Sequence, residues 1–319
     1  MKFLITGGSG FIGTNMIDYL IDKNHEILSI DINRPVQEKH NSYWKKVDIL
    51  DVNTLTNVIQ NFQPDYILHL AARTDLEGKK ITDYKSNTQG TLNIINIANS
   101  VDSIKRIIFT SSMLVCKIGY IPKNFLDYSP NTSYGESKVE MERIIFNHKI
   151  NAEWLIIRPT SIWGPWFKEP YRNFFDLVLK GFFVHPGSKS CTKTYGYVGN
   201  SVDQIYHLTI TDKEKVHSKC FYIGDSPPIQ ISEWADEIKL IHCNKKNLKL
   251  PFFIFLVLAL IGDLLKTIHI KFPMSSFRLK NMTTNNVIDL EHLNNVIKKK
   301  NLFSRIDGVM ITLNWLKKI

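Results

Sequence analysis

Residues 2–13, Lys-Phe-Leu-Ile-Thr-Gly-Gly-Ser-Gly-Phe-Ile-Gly, constrain this chain more than any other stretch. A short apolar run over 3–5 stops at a glycine cluster, and Phe11, Ile12, Met16, Ile17 and Leu20 then recur at helical spacing. That pattern predicts a strand, a tight turn and a helix, with glycines at Gly7, Gly10 and Gly13. At this spacing the glycines serve a turn that few residues can make, a close approach of backbone to phosphate, and tight packing of helix on strand. A pyrophosphate fits against the unsatisfied N–H groups and positive end of the helix. A glycine triplet alone is equally compatible with a turn that binds nothing. The next strand, over 26–30, runs into Asp31, eighteen residues after Gly13, where a carboxylate suits ribose hydroxyls. Together they point to a dinucleotide. Asp31 favours NAD over NADP by repelling an extra phosphate, and Arg34 softens that preference.

Strand-like and helix-like segments alternate through the first half, which predicts an α/β protein with a parallel, doubly wound sheet. Strands are expected near 44–47, at 66–70, 106–110 and 153–157. Helices are expected over 52–62, 82–100 and 134–148. Beyond 163 the loops lengthen and aromatic and proline residues become frequent. A division follows: residues 1–163 form the cofactor domain, and 164–319 form a smaller, mostly helical substrate-binding part. A strand at 220–224 returns to the first sheet. Helices are expected over 173–180, over 231–242 with Ser232 as cap, and over 307–317 with Val309, Leu313 and Leu316 on one stripe.

The chain's 319 residues suffice for a sizeable core, and its charge of +10 fits an anionic ligand without a dense basic block for nucleic acid. Cys116, Cys191, Cys220 and Cys243 are scattered, so neither a metal site nor a disulfide framework is expected, and a reducing, cytoplasmic setting is. The N-terminus reads as a working strand rather than a signal peptide. The apolar run over 251–262, closed by Asp263, is too short to span a bilayer. The favoured reading is a buried helix or subunit contact. The alternative is a weak peripheral membrane contact through 252–261, helped by Lys266 and Lys271.

Tyr134 and Lys138 stand one helical turn apart, so both side chains share a face. A phenol titrates near 10 and is a poor base at neutral pH. A neighbouring ammonium and an oxidised nicotinamide would stabilise the phenolate and let it take a hydroxyl proton. Ser112, at the carboxyl end of a predicted strand, lies where such sheets bind ligands and would orient the substrate oxygen. A lone Tyr-x-x-x-Lys pair is as easily a surface feature; the glycine turn and strand-end serine tip the reading to catalysis. His69 reads as a packed strand residue rather than a base.

These motifs resemble the extended short-chain dehydrogenases/reductases, of the NAD-dependent epimerase/dehydratase kind acting on nucleotide sugars. The likeness runs through Thr6–Gly13 (Thr-Gly-Gly-Ser-Gly-Phe-Ile-Gly), Asp31, Asp48 with Ile49, His69-Leu70-Ala71-Ala72, Asn87 with Gly90 and Thr91, Thr110-Ser111-Ser112, Tyr134-Gly-Glu-Ser-Lys138 and Arg158-Pro159. It implies a Rossmann-type fold, a homodimer through two helices, and a catalytic group of Ser112, Tyr134 and Lys138. It also implies that NAD lies against Gly7, Gly10, Phe11, Ile12, Gly13, Asp31, Asp48, Ile49, Leu70, Ala71, Ala72, Asn87, Tyr134, Lys138 and Pro159. Departures cluster on the substrate side. Met113 and Leu114 replace the acid pair of sugar-nucleotide dehydratases, which disfavours dehydration. Val115-Cys116-Lys117 replaces Val-Tyr-Gly, and Ser161 replaces a usual asparagine. Residues 193–200 lack the usual acids. Lys193 and Arg278 are candidates for a diphosphate contact, and each is equally readable as a solvated loop cation.

The expected activity is a nucleotide-sugar epimerase, acting at carbon 4 of a hexose through a transient 4-keto sugar. A nucleotide-sugar 4-ketoreductase, a hydroxysteroid-type dehydrogenase and a non-catalytic NAD-binding regulator are the competing expectations.

Overall fold

In the first strand Phe3 and Ile5 face one side of the sheet and Leu4 the other, and all three are fully buried. A strand buried on both faces belongs inside a layered α/β fold, with helices on each side. The computed structural model describes residues 1–169, 171–187, 189–267, 270, 272 and 274–318, and it has that architecture. The first half runs β1 (Lys2–Thr6), α1 (Phe11–Asp22), β2 (Glu26–Asp31), β3 (Trp44–Lys46), α2 (Val52–Phe62), β4 (Tyr66–His69), α3 (Lys85–Ala98), β5 (Arg106–Thr110), α4 (Ser133–Asn147) and β6 (Glu153–Pro159). The second half begins with β7 (Ser161–Trp163), α5 (Tyr171–Leu179), β8 (Val184–His185), β9 (Thr192–Lys193), β10 (Tyr195–Tyr197), α6 (Val198–Ile210), α7 (Lys213–Val216) and β11 (Lys219–Ile223). It ends with β12 (Ile229–Gln230), α8 (Ile231–Cys243), β13 (Leu248–Lys249), α9 (Phe252–Thr267), α10 (Ser276–Thr283), α11 (Glu291–Ile297) and α12 (Arg305–Leu316).

Seven strands form one parallel sheet in the order β11-β6-β5-β4-β1-β2-β3. From β1 the chain winds outward through β2 and β3, then crosses back to β4 and winds the other way. The carboxyl ends of β1 and β4 therefore open into a crevice, the place where such sheets bind ligands. One face packs on α2, α3 and α4, through Leu55, Ile59, Ile94, Met141 and Ile145. The other face packs on α1 and α6, and its cluster continues through Trp163, Phe175 and Trp234 into the second half. A cut at residue 163 would thus leave β11 and α6 apart from the sheet they complete.

Several expectations shift by local chemistry. The segment over 82–100 divides into a short 3-10 turn and α3. The loop over 181–193 contains β8 and β9, which pair with β13 and β12. Ser232 lies inside α8, whose N-cap is Gln230, and its hydroxyl instead bonds that of Ser190 at 2.6 Å. The largest difference is α9. It does not stop at Asp263, because that carboxylate accepts the Ser276 N–H at the start of α10 and lets the helix run on. Nor is it a buried helix: only one stripe, with Phe255 and Ala259, packs against Leu279 of α10. Lys271 lies outside the described residues.

Candidate active site

The glycine turn is shaped by what its neighbours leave no room for. Gly7 has a φ of 74°, and a Cβ there would lie 2.6 Å from the Ala71 nitrogen, so no side chain fits between β1 and the end of β4. At Gly13 a Cβ would collide with the Gly7 carbonyl, so α1 can pack this closely only without one. Gly10 is the N-cap of α1 and no side chain caps the first turn, which leaves the N–H groups of that end for an anion. Phe11 and Ile12, half-buried, anchor the turn to the core. Asp31 ends β2 with one carboxylate oxygen accepting the Ser9 N–H at 3.1 Å and the other that of Asn33 at 2.9 Å. The carboxylate thereby stands beside the glycine turn. Arg34 is exposed in the following loop. Asp48 accepts the Leu50 N–H at 2.9 Å, and buried Ile49 is held by its carbonyl to Asn93.

Behind the turn runs a buried polar relay. The Ala71 N–H donates to the Thr6 hydroxyl, which lies 2.8 Å from His69 Nδ1. His69 Nε2 lies 3.1 Å from the Thr91 hydroxyl, which donates to the Asn87 carbonyl. With Thr91 donating onward, its oxygen accepts from Nε2–H, so Nδ1 is left to accept from Thr6. Burial, then the Lys138 charge, push His69 down to about 3, so it stays neutral and packs the sheet as expected. The Leu70 N–H donates to the Thr6 carbonyl, and Ala72 follows half-buried. Asn87 lies behind this loop. Its amide donates to the Arg73 carbonyl and the Ser137 hydroxyl and accepts the Arg73 N–H, and it is fully buried. Its amide thereby braces the β4 loop against α4. Ser137 passes the contact on to the Tyr134 carbonyl at 2.7 Å.

Ser112, Tyr134 and Lys138 converge at the carboxyl end of β5. Ser112 caps a single 3-10 turn by accepting the Leu114 N–H, and Tyr134, at the start of α4, packs beside that turn. Thr132 caps α4 through its hydroxyl and so sets Tyr134 in the first turn. The Lys138 ammonium reaches across to donate to the Thr110 carbonyl at 2.7 Å. Both Tyr134 and Lys138 are almost completely buried. The expected acidification of the phenol by Lys138 is not what the protein does alone. Burial raises Tyr134 to about 12, with Ser112 pulling it back and Tyr171 and Tyr84 adding to the rise. Burial likewise lowers Lys138 to about 7. A positive charge brought to this dry pocket would act on the phenol with little screening. The buried hydroxyls of Thr110 and Ser111 have no protein partner, a polar remainder that suits a bound ligand.

Tyr84 and Tyr171 carry no sequence signal, yet the fold brings both here. The Tyr84 ring lies 6.0 Å from that of Tyr134, and the Tyr171 hydroxyl donates to Ser161 at 2.8 Å. Pro159 ends β6 beside Ile223 of β11. Lys193 turns from the loop expected of it to the body of the protein, donating to the Asn281 carbonyl on α10 at 2.8 Å, and burial lowers its pKa. Arg278 sits one turn earlier on α10, its N–H held by Ser275. Lys193 is thus tied to the helix that carries Arg278. A cavity of about 360 Å³ lies behind Met113 and Leu114, lined also by Cys116, Phe125, Tyr222 and Val287. It does not include Ser112, Tyr134 or Lys138, so the catalytic chemistry is not assigned to it. Met113 and Leu114 offer no acid for eliminating water. Among the described residues no cluster of His, Cys, Asp and Glu could hold a metal.

Residues 3–224 match the model of the NAD dependent epimerase/dehydratase family. The UDP-glucose 4-epimerase of Vibrio cholerae is 30% identical over 263 residues, covering 78% of each chain. An Escherichia coli O157:H7 relative, N-acetyl-alpha-D-glucosaminyl-diphospho-ditrans,octacis-undecaprenol 4-epimerase, is 28% identical over 87% of this chain and 84% of its own. Among solved structures, a Thermotoga maritima UDP-glucose 4-epimerase with UDP-glucose superposes with a TM-score of 0.75 at 19% identity, over 100% of this chain and 99% of that one. That likeness supports the fold alone.

Proposed function

The chain belongs to the NAD dependent epimerase/dehydratase family, a family of NAD-dependent enzymes, and from that premise we propose that it inverts carbon 4 of a hexose carried on a diphosphate, with a nucleotide as the carrier. NAD, when bound, supplies the acceptor and then the donor of a hydride, so the net reaction needs no added oxidant. Ser112 orients the sugar hydroxyl, and Tyr134 takes its proton as the carbon is oxidised. Once the keto sugar has turned, Tyr134 returns that proton to the oxygen. Lys138, anchored on the Thr110 carbonyl, holds positive charge near the phenolate while the proton is away. Gly7, Gly10 and Gly13 hold the pyrophosphate, and Asp31 holds the adenosine ribose. The reading rests above all on the convergence of the buried Ser112, Tyr134 and Lys138 at the carboxyl end of β5, with Lys138 one turn from Tyr134 on α4 and anchored on the Thr110 carbonyl.

The test is conversion of a UDP-hexose without added NAD or NADH, followed by proton NMR. Appearance of the carbon-4 epimer is expected. Strict consumption of NADH on a 4-keto sugar, with none on finished hexoses, would replace epimerisation by ketoreduction. A polyprenyl carrier is a second reading, favoured by the exposed apolar face of α9 and by the Escherichia coli relative's named substrate. Turnover of a sugar on a short prenyl diphosphate, with UDP-hexoses inert, would establish it. We further propose a homodimer through α3 and α4, to be tested by light scattering.

A further inference from the structure

We infer that α9 is a docking surface for an anionic lipid bilayer, an inference independent of which sugar the enzyme turns over. The helix is apolar on nearly every side, but the fold covers only one stripe. Phe255 and Ala259 are buried against α10, whereas Phe253, Leu256, Val257, Leu260, Ile261 and Leu264 are exposed, Leu264 to 69%. A soluble helix with that stripe buried would carry polar residues on the rest of its circumference. The apolar surface also continues past the helix. Leu248, on β13 just before α9, is 67% exposed, and Phe182, just before the strand that pairs with β13, is 72% exposed. At 16 residues α9 is ~24 Å long, short of the ~30 Å hydrocarbon core, and no helix among the described residues is long and apolar enough to cross a membrane. A helix of this kind lies in the interface plane.

Charge selects the occupant. Between residues 245 and 280 the sequence holds seven Lys or Arg and a single acid, Asp263, which is committed to the start of α10. Lys245, Lys246, Lys249 and Lys266 are exposed on either side of the apolar face. A two-fold contact between copies would place this patch against itself and set cations on cations. An anionic bilayer instead takes the apolar face and the lysine fringe together. The surface also adjoins the proposed substrate side, because α10, which packs on α9, supplies the carbonyl held by Lys193.

The test is co-sedimentation of the full chain with vesicles of phosphatidylcholine containing about one-quarter phosphatidylglycerol, against phosphatidylcholine alone. Binding is expected to be about tenfold stronger on the anionic vesicles and to weaken with salt. The double variant Leu256→Ser, Leu260→Ser is expected to lower partition by at least about tenfold while NAD affinity, the control for folding, stays unchanged. Recovery of the wild-type chain in the supernatant with anionic vesicles would overturn the inference, as would unchanged binding by the double variant. A dimer that this variant dissolves, without vesicle binding, would assign the face to a second copy instead. None of these readings requires turnover, so a wrong sugar does not affect them.

Discussion

The crevice between β1 and β4 and the surface around β9, α9 and α10 solve different problems. In the crevice, position is enforced by backbone. Gly7 has no room for a Cβ, Asp31 is fixed by two N–H groups, and the relay from Ala71 to Ser137 fills its hydrogen bonds with protein. On the other side, position is enforced by long side chains and short ladders: Lys193 reaches α10, and Thr192 and Lys193 pair with β12 on one side and bridge to Asn286 on the other. A surface built in the first way accepts one ligand shape and tolerates little change. A surface built in the second way can be respecified without disturbing the sheet. Shared cofactor and variable substrate are therefore physical consequences of where the chain spends its backbone contacts.

The sharpest way to break this comparison is Gly7→Val. A side chain there meets both a left-handed backbone and the Ala71 nitrogen, so a destabilisation of about 4 kcal/mol and loss of NAD binding are expected, read by thermal melts and titration. Unaltered NAD affinity would show that the crevice is more yielding than its contacts imply. Next in size is Tyr134→Phe. The phenyl ring still fills the pocket but cannot carry a proton, so kcat should fall by about 10³-fold while NAD affinity changes by less than about twofold. An equal loss in both would move Tyr134 from chemistry to architecture.

Acid should expose the crevice's dependence on a neutral histidine. His69 is depressed in the fold to about 3 from an ordinary value of 6.5, so between those values the unfolded chain holds the extra proton. Its contribution is complete above pH 6.5 and is lost as pH falls toward 3, on the order of 5 kcal/mol in full. Urea melts at descending pH should show that slope, and His69→Gln should flatten it; an identical slope would place the acid sensitivity elsewhere.

Legibility in the sequence followed the same division. Glycine spacing, Asp31 and the Tyr134–Lys138 interval are local patterns that record backbone geometry, and the parallel sheet follows from the alternation of strands and helices. Asn87 was visible as a motif residue, but its partners Arg73 and Ser137 come from other elements, and only they show that it braces the β4 loop. Tyr84 and Tyr171 reach the site from a 3-10 turn and from α5, with no spacing to reveal them. The composition of α9 shows that it is apolar, but which side is covered depends on how α10, the next helix, folds back on it, joined through Asp263.

The mildest test concerns Lys193, on which the substrate side of the comparison turns. Its ammonium is partly withdrawn from water and already has one acceptor in the Asn281 carbonyl. A cation so placed has donors left over, and burial lowers its pKa, so an incoming diphosphate would restore the charge that burial disfavours. Lys193→Met keeps the stem and removes the charge. A rise in KM of about tenfold with kcat nearly unchanged is expected, since the contact would be the same in the ground and transition states. If KM stays put while the melting temperature drops, Lys193 does no more than tie β9 to α10, and the diphosphate must be neutralised by other residues of that surface.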